Sequence, residues 1–419
     1  MARQLSFQIH LTDDCNLGCL HCYGKKGGMY LGSDEFDYIL DNVLDYMTSL
    51  GAVPGKVVFC GGEPTLSPIL VESISKCVNV GFRRVSILSN GLLITNELAG
   101  NLVRAGCEEI QICLEGTRDT HNEIRNGTWN AVLKAWDICR SNGMMVKSQT
   151  SVNPLNYREI EEIIRNCRGR VHRTMFLRHI PHQNGLAALT RSQWTEVLER
   201  LIHCYMNYGK RYEGFVLIRD ILWSRLFCDI PYNCGFRQEK PLGVIIESNG
   251  DVHICRRAGV VVGNIFAMGL DEIYRENSLL QQCRKGENLG GRCGTCSRSA
   301  SCGGCRGMAL AVNGDFCAED PHCMAEELHE PVGEHSRLNG DFIPALWEAV
   351  NDRFVARIAE KKGIGISAEE LQQAADAFRM AHGLYGSEET ATWLKANGMT
   401  IAEFEAYLEK ILLRQKMRC

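Results

Sequence analysis

The sequence predicts an α/β protein: a partial (β/α)6 TIM-like barrel, a cysteine-rich second segment and an all-helical C-terminal domain. Three observations predict it. Over roughly the first 215 residues, β-rich runs alternate with amphipathic stretches, the pattern of a parallel sheet with crossover helices. Between about Cys228 and Cys323, cysteine and glycine crowd together and helical periodicity fades. From about Asp341 onward, capped apolar stripes return at helical spacing. A chain of 419 residues is long enough for several folding units, and the changes in character put boundaries at 1–225, 226–335 and 336–419.

The strand candidates are Ser6–Leu11, Lys56–Cys60, Val85–Leu88, Glu109–Leu114, Val146–Val152 and Thr174–Arg178, all rich in β-branched and other apolar residues. Helical patterns lie between and after them at Asp34–Ser49, Pro68–Val80, Asn96–Ala105, Asn130–Asn142, Arg158–Asn166 and Ser192–Tyr208. In such sheets chemistry gathers in the loops beyond the carboxyl ends of the strands. In the second segment, Val244–Glu247 and Val252–Cys255 flank Asn249-Gly250 and read as a hairpin. With so few large apolar residues, this segment needs metal staples to hold together. In the third, Ser367 with Glu370 and Thr400 with Glu403 fit capping boxes, while Gly383 and Gly398 fit helix stops.

Composition narrows the function classes. A net charge of −4 offers no basic field for nucleic acid. No apolar run approaches the roughly 18 residues of a membrane span, and Met1–Gln8 lacks a signal-peptide pattern; a cytoplasmic protein is expected. Disulfide scaffolds are short and secreted, so among the 21 cysteines those in grouped runs read as metal ligands held in a reducing compartment.

The strongest grouping is Cys15-Asn-Leu-Gly-Cys19-Leu-His21-Cys22, directly after the first strand. Three thiolates at this spacing can wrap one corner of a four-iron cube and leave the fourth iron open; a zinc knuckle with a distant fourth ligand is the alternative. After the second strand comes Gly61-Gly62-Glu63-Pro64-Thr65, whose glycines admit close backbone approach and whose Glu63 suits a cationic amine. Together these resemble the radical SAM superfamily. The resemblance implies a [4Fe–4S] cluster on Cys15, Cys19 and Cys22 and S-adenosylmethionine (SAM) bound against Gly61, Gly62, Glu63 and Pro64. His21 stands where the family usually carries an aromatic residue. Softer matches put Ser89-Asn90 near the ribose, Arg125 near the cofactor and Arg178 against a carboxylate of cofactor or substrate.

The second grouping has Cys234, fifteen residues, Gly250, four residues and Cys255, then Cys293-x2-Cys296-x5-Cys302-x2-Cys305 and Cys323. It resembles the SPASM domain of peptide-modifying radical SAM enzymes, with one residue fewer between Cys302 and Cys305 than usual. The resemblance implies two auxiliary [4Fe–4S] clusters. One would be held by Cys228, Cys234, Cys255 and Cys305, the other by Cys293, Cys296, Cys302 and Cys323, with Cys317 a rival for the last position. Structural zinc sites are the competing reading. Cys60, Cys77, Cys107, Cys113, Cys139, Cys167 and Cys204 fall in strand and helix patterns and are expected to be small buried residues.

The resemblance implies reductive SAM cleavage to a 5′-deoxyadenosyl radical and modification of a ribosomally made precursor peptide, through an oxidative crosslink or related change. A flavodoxin- or ferredoxin-type protein would supply the electron, and the helical C-terminus is a candidate peptide-docking element. A small-molecule or tetrapyrrole substrate of haem-pathway type is the alternative. A non-catalytic zinc or iron–sulfur scaffold is the third reading, disfavoured by the intact Gly61–Glu63 loop. Glu115 and His179, with His182, are the candidate catalytic groups on loops beyond the strands.

Overall fold

The structure, a computed structural model, describes residues 3–24, 27–182, 185–208, 215–222, 243–285, 289–296, 299, 302–323, 359, 363–384, 386–396 and 399–416. Cys228, Cys234, Gly398 and both proposed domain boundaries lie outside them.

The apolar runs form β1 (Gln4–His10), β2 (Val53–Cys60), β3 (Arg84–Ser89), β4 (Glu109–Ile112), β5 (Met145–Val152) and β6 (Arg173–Arg178). They pair in parallel and in sequence order, as right-handed βα units do. Helices at Ser33–Ser49, Leu70–Asn79, Asn96–Arg104, Trp129–Ser141, Ile160–Cys167 and Arg191–Tyr208 match the predicted stretches within two residues at each end. The first shows why they dock: Phe36, Ile39, Leu40, Val43, Tyr46 and Met47 are buried at i, i+3 and i+4 spacing, and Phe36 packs 6.2 Å from Phe59 of β2.

Two additions extend the barrel. A short strand, β7 (Val216–Ile218), lies parallel to β6. A hairpin of β8 (Gly243–Ile246) and β9 (Asp251–His253) is carried on the far edge, with β8 parallel to β1 and β10 (Val261–Asn264) antiparallel to β9. The cysteine-rich segment is therefore continuous with the barrel sheet, in the order β10-β9-β8-β1-β2-β3-β4-β5-β6-β7. It also carries short helices at Leu270–Glu276, Ser278–Lys285, Gly291–Thr295 and Arg306–Asn313.

The chain divides into two compact units, Met1–Arg200 with Arg211–His329, and Leu201–Lys210 with Glu330–Cys419. In the second, helices Ala368–Ala381, Ser387–Ala396 and Ile401–Lys416 enclose Leu394, Phe404 and Leu408, with Phe378 edge-on to Trp393 and Phe404 at 5.2 and 5.0 Å. Ser367 and Glu370 form the expected capping box, as do Thr400 and Glu403. No helix among the described residues is long and apolar enough to cross a membrane.

Arg178, expected to meet a carboxylate of cofactor or substrate, meets the chain's own instead. Its Nη1 and Nη2 donate to the two oxygens of Asp320 at 2.9 Å each, and its Nε to Asp220 at 2.6 Å. All three side chains are buried, and Trp194 lies over the guanidinium at 5.1 Å. Two internal carboxylates saturate the planar fork, so Arg178 bolts the end of β6 to the 320–322 segment. Burial works against ionisation of Asp320, but Arg178 outweighs it and holds the carboxyl at about 2. Arg178→Met would leave two buried carboxylates without their cation, a loss of about 3–5 kcal/mol. Denaturant unfolding of the anaerobic holo-chain checks this; a midpoint equal to wild type would deny the bolt its role.

Candidate active site

The first cysteine loop is fixed from both sides before any cysteine is reached. The Asp13 carboxylate accepts from the Met29 amide at 2.6 Å, Tyr30 donates to Asp14 at 2.8 Å, and Thr12 donates to the Met29 carbonyl at 2.7 Å. On the other side the Gly61–Glu63 loop, leaving β2, lies along residues 12–14. The Gly62 amide donates to the Thr12 carbonyl and the Glu63 amide to the Asp14 carbonyl, both at 2.8 Å. Gly61 sits at φ +144, and a Cβ on it would stand 2.2 Å from the Thr12 oxygen; one on Gly62 would stand 1.9 Å from the Asp14 oxygen. Both glycines are required by this close approach.

Cys15, Cys19 and Cys22 open onto one cavity with Gly61, Gly62, Glu63, Ser89, Asn90, His21, Glu115 and Arg125. All three stand outside any disulfide, Cys15 and Cys19 half-buried and Cys22 exposed. The Gly24 amide donates to the Cys22 sulfur at 3.4 Å. Three soft donors lining one cavity suit a cubane cluster with one iron left open, although no three His, Cys, Asp or Glu side chains among the described residues are grouped to hold a single metal ion.

Glu63 is buried, and its oxygens accept from the Thr65 amide and hydroxyl, the Ser89 hydroxyl and the Asn90 amide, at 2.6–3.1 Å. Burial pushes its carboxyl up, and these bonds pull against that. A carboxylate has about four lone-pair sites, so Glu63 chiefly fastens the loop after β3 to the loop after β2. Pro64 opens the short turn that follows.

Glu115, a candidate base, is buried and charge-paired with Arg125 at 3.2 Å; it also accepts from the Ser151 amide at 2.8 Å and lies 3.4 Å from His21 Nε2. Burial works against the Arg125 cation, and the neighbouring Cys113, Glu115 and Cys19 more than compensate. Burial first, then Arg125, holds the His21 imidazole down to about 3, which leaves it neutral; its Nδ1 is buried without a hydrogen-bond partner. His179 does not line this cavity: its Nε2 bonds the Leu186 carbonyl at 2.9 Å, a structural contact. His182 packs its ring against Tyr23 at 5.3 Å.

Cavity walls missed from the sequence are Gln8 and His10 of β1, Gln111 and Cys113 at the end of β4, Gln149 and Ser151 of β5, Cys60, and Arg256. Their signal was present: polar residues two apart on otherwise apolar strands face one side of a sheet. Cys113, expected to be buried, lines the cavity, whereas Cys77, Cys107, Cys139, Cys167 and Cys204 are buried as expected. Arg256 follows Cys255, ion-pairs with Glu247 at 2.8 Å and lies 5.1 Å over the Tyr23 ring.

In the cysteine-rich segment Cys255, Cys293, Cys296, Cys302, Cys305, Cys317 and Cys323 all stand outside any disulfide. The shortened Cys302–Cys305 spacing closes because Gly303 and Gly304 both take positive φ, +67 and +65. The Gly304 amide donates to the Cys302 sulfur at 3.4 Å, Arg306 to the Cys293 sulfur at 3.7 Å, and the Cys305 amide to Asp320 at 2.9 Å. Cys317 sits between the Phe316 and Ala318 carbonyls that Arg306 holds, so it keeps its rivalry with Cys323. Soft donors in this density fit cluster ligation.

Residues 9–167 match the model of the radical SAM superfamily, and residues 234–306 match that of SPASM, an iron–sulfur cluster-binding domain. The chain is 26% identical over 348 residues to an AdoMet-dependent heme synthase of Methanosarcina barkeri, covering 75% of this chain and 94% of that one. It is 25% identical over 350 residues to a PqqA peptide cyclase of Rhodopseudomonas palustris, covering 78% and 89%. Its fold is similar to that of Streptococcus suis SuiB solved bound to precursor peptide SuiA, with TM-score 0.62, 16% identity and coverage of 77% and 76%.

Gly62→Ala is expected to push the Gly61–Glu63 loop off residues 12–14 and weaken SAM binding at least tenfold, about 1.4 kcal/mol. Equilibrium dialysis of SAM against the anaerobic chain measures this; wild-type affinity would mean that the backbone yields.

Proposed function

Because the chain belongs to the radical SAM superfamily and carries a SPASM auxiliary-cluster domain, we propose that it modifies a ribosomally made precursor peptide by radical chemistry. Bound at Cys15, Cys19 and Cys22, the cluster and SAM supply a one-electron reductive cleavage that delivers a 5′-deoxyadenosyl radical to the cavity. What carries the peptide reading is the chemistry of the wall. Gln8, Gln111, Gln149 and Ser151 offer amide and hydroxyl groups, and Gln111 Nε2 is buried without a partner. A flat macrocycle asks for a broad apolar slot; an extended peptide asks for donors and acceptors to its amides.

The chain's own residues divide the work. Gly61 and Gly62 bring backbone within reach of the methionyl end of SAM, with Glu63 bracing that loop from behind. Arg125, with Glu115 as its partner, holds a fixed positive charge for the cofactor carboxylate. Neutral His21 donates through Nε2 to Glu115 and leaves Nδ1 as an acceptor for the nucleotide's amino group. Since Glu115 is held in this ion pair, its role is to orient Arg125 and His21. Cysteines of the second segment would hold the auxiliary clusters, which would supply a site able to accept an electron from the substrate. The first electron comes from a flavodoxin- or ferredoxin-type donor.

A tetrapyrrole substrate is favoured by a different observation, the match to AdoMet-dependent heme synthases over nearly their whole length. The two readings separate in one assay. Anaerobic full-length chain with SAM and dithionite is supplied either with any short peptide found encoded beside its gene or with iron-coproporphyrin III. The peptide is expected to stimulate 5′-deoxyadenosine release and to lose two hydrogens on crosslinking. Stimulation by the tetrapyrrole alone would replace the peptide reading. In the same assay Cys19→Ala is expected to abolish SAM cleavage, whereas Cys296→Ala retains cleavage and loses product. Equal loss of cleavage in both would remove the auxiliary role.

A further inference from the structure

Three arginines are buried among the described residues, and they differ in what neutralises them. Arg125 faces Glu115, and Arg178 faces Asp220 and Asp320. Arg306 has no carboxylate bonded to it among the described residues. It is 1% exposed; its Nη1 donates to the Phe316 and Ala318 carbonyls at 2.9 and 2.6 Å, its Nη2 donates to the Cys293 sulfur at 3.7 Å, and its Nε is buried without a partner. A guanidinium does not shed its proton in a protein. A full positive charge is thus enclosed by two neutral carbonyls and one sulfur, an arrangement strongly unfavourable unless the sulfur side carries negative charge.

The surroundings are shaped for that contact. A Cβ on Gly304, at a φ of +65, would stand 2.7 Å from the Asp320 Cβ, 3.1 Å from Arg306 Nη2 and 3.3 Å from the Cys293 sulfur; the Asp320 carboxylate is itself engaged by Arg178 and the Cys305 amide. Glycine there leaves room for the guanidinium to reach the thiolate. Arg306 also opens the helix Arg306–Asn313 directly after Cys305, so its position is set by the loop that carries the ligands.

We infer that Arg306 is the built-in counter-charge of the auxiliary iron–sulfur cluster that Cys293 ligates, and that it holds the reduction potential of that cluster up. This rests on the reading of Cys293 as a cluster ligand. A thiolate-ligated cluster is anionic and gains negative charge on reduction, so a fixed neighbouring cation favours the reduced form. Arg306 touches the ligand sulfur through N–H and acts by tuning, with no contact to substrate.

The test is an EPR-monitored redox titration of anaerobically reconstituted full-length chain, with iron and sulfide counts. Arg306→Gln is expected to keep its iron while the potential of one auxiliary cluster moves negative and that of the SAM-site cluster stays put. Arg306→Lys, which keeps the charge, is expected to recover most of the shift. Full iron with every potential unchanged in Arg306→Gln overturns the inference alone. A wild-type chain that holds iron only at the amino-terminal site overturns it together with the cluster reading. Should Arg306→Gln lose iron, Cys293→Ala is compared with the Cys293→Ala/Arg306→Met pair. Removing a cation that has lost its counter-charge is expected to raise the melting midpoint; a further fall makes Arg306 a scaffold residue and overturns the proposal.

Discussion

The site depends on one backbone contact, the seam where the loop after β2 lies against the loop after β1. Two amide-to-carbonyl bonds at 2.8 Å, from Gly62 to Thr12 and from Glu63 to Asp14, set the distance between the cysteine loop and the Gly-Gly-Glu turn. Only residues without a Cβ allow it, since the nearest oxygens would stand 2.2 and 1.9 Å from added carbons. Everything beyond follows from that seam. Glu63 reaches across to Ser89 and Asn90, which fixes the loop after β3, and the three thiols then face a wall already in place.

Buried charge is handled in two ways. Where the fold needs rigidity, guanidinium meets carboxylate: Arg178 with Asp220 and Asp320, Arg125 with Glu115 at 3.2 Å. Such pairs return little net stability, yet losing one partner is costly, so they fix a geometry more than they strengthen it. Arg178 ties a barrel strand to the segment leading into Cys323, and Asp320 also accepts from the Cys305 amide. The barrel and the cysteine-rich segment are thereby joined at the Cys305 loop and again through β8 on β1. Arg306, with no carboxylate bonded to it among the described residues, belongs to the other kind.

The parallel sheet was legible because its strands are continuous apolar runs broken by glycine-bearing turns, and the cysteine spacing after the first strand pointed to a loop that does line the cavity. Short elements were not: β7, three residues long, and the helix Arg118–Ile124 offer too little periodicity to separate from loop. Arg178 was misread for a different reason. A sequence shows an arginine at a strand end but not which carboxylate arrives from 142 positions away. His179 fell likewise, satisfied by the Leu186 carbonyl. Cys113 was read by its strand context, yet its place two residues after Gln111 puts both on the cavity side.

That alternation bears on the substrate. Gln8 and His10, Gln111 and Cys113, and Gln149 and Ser151 are pairs two apart on three strands, and each pair turns into the barrel. A barrel interior filled only for stability uses branched apolar residues. Exchanging them for amides and hydroxyls forfeits apolar burial and leaves groups such as Gln111 Nε2 without a partner inside the protein. That cost is recovered only when a bound molecule supplies acceptors in a regular array. An extended peptide backbone does so along its length, whereas the carboxylates of a tetrapyrrole sit at its rim and leave an apolar face against the amides. On the peptide reading proposed above, this wall would meet a chain of amides, and Cys15, Cys19 and Cys22 open onto the same cavity.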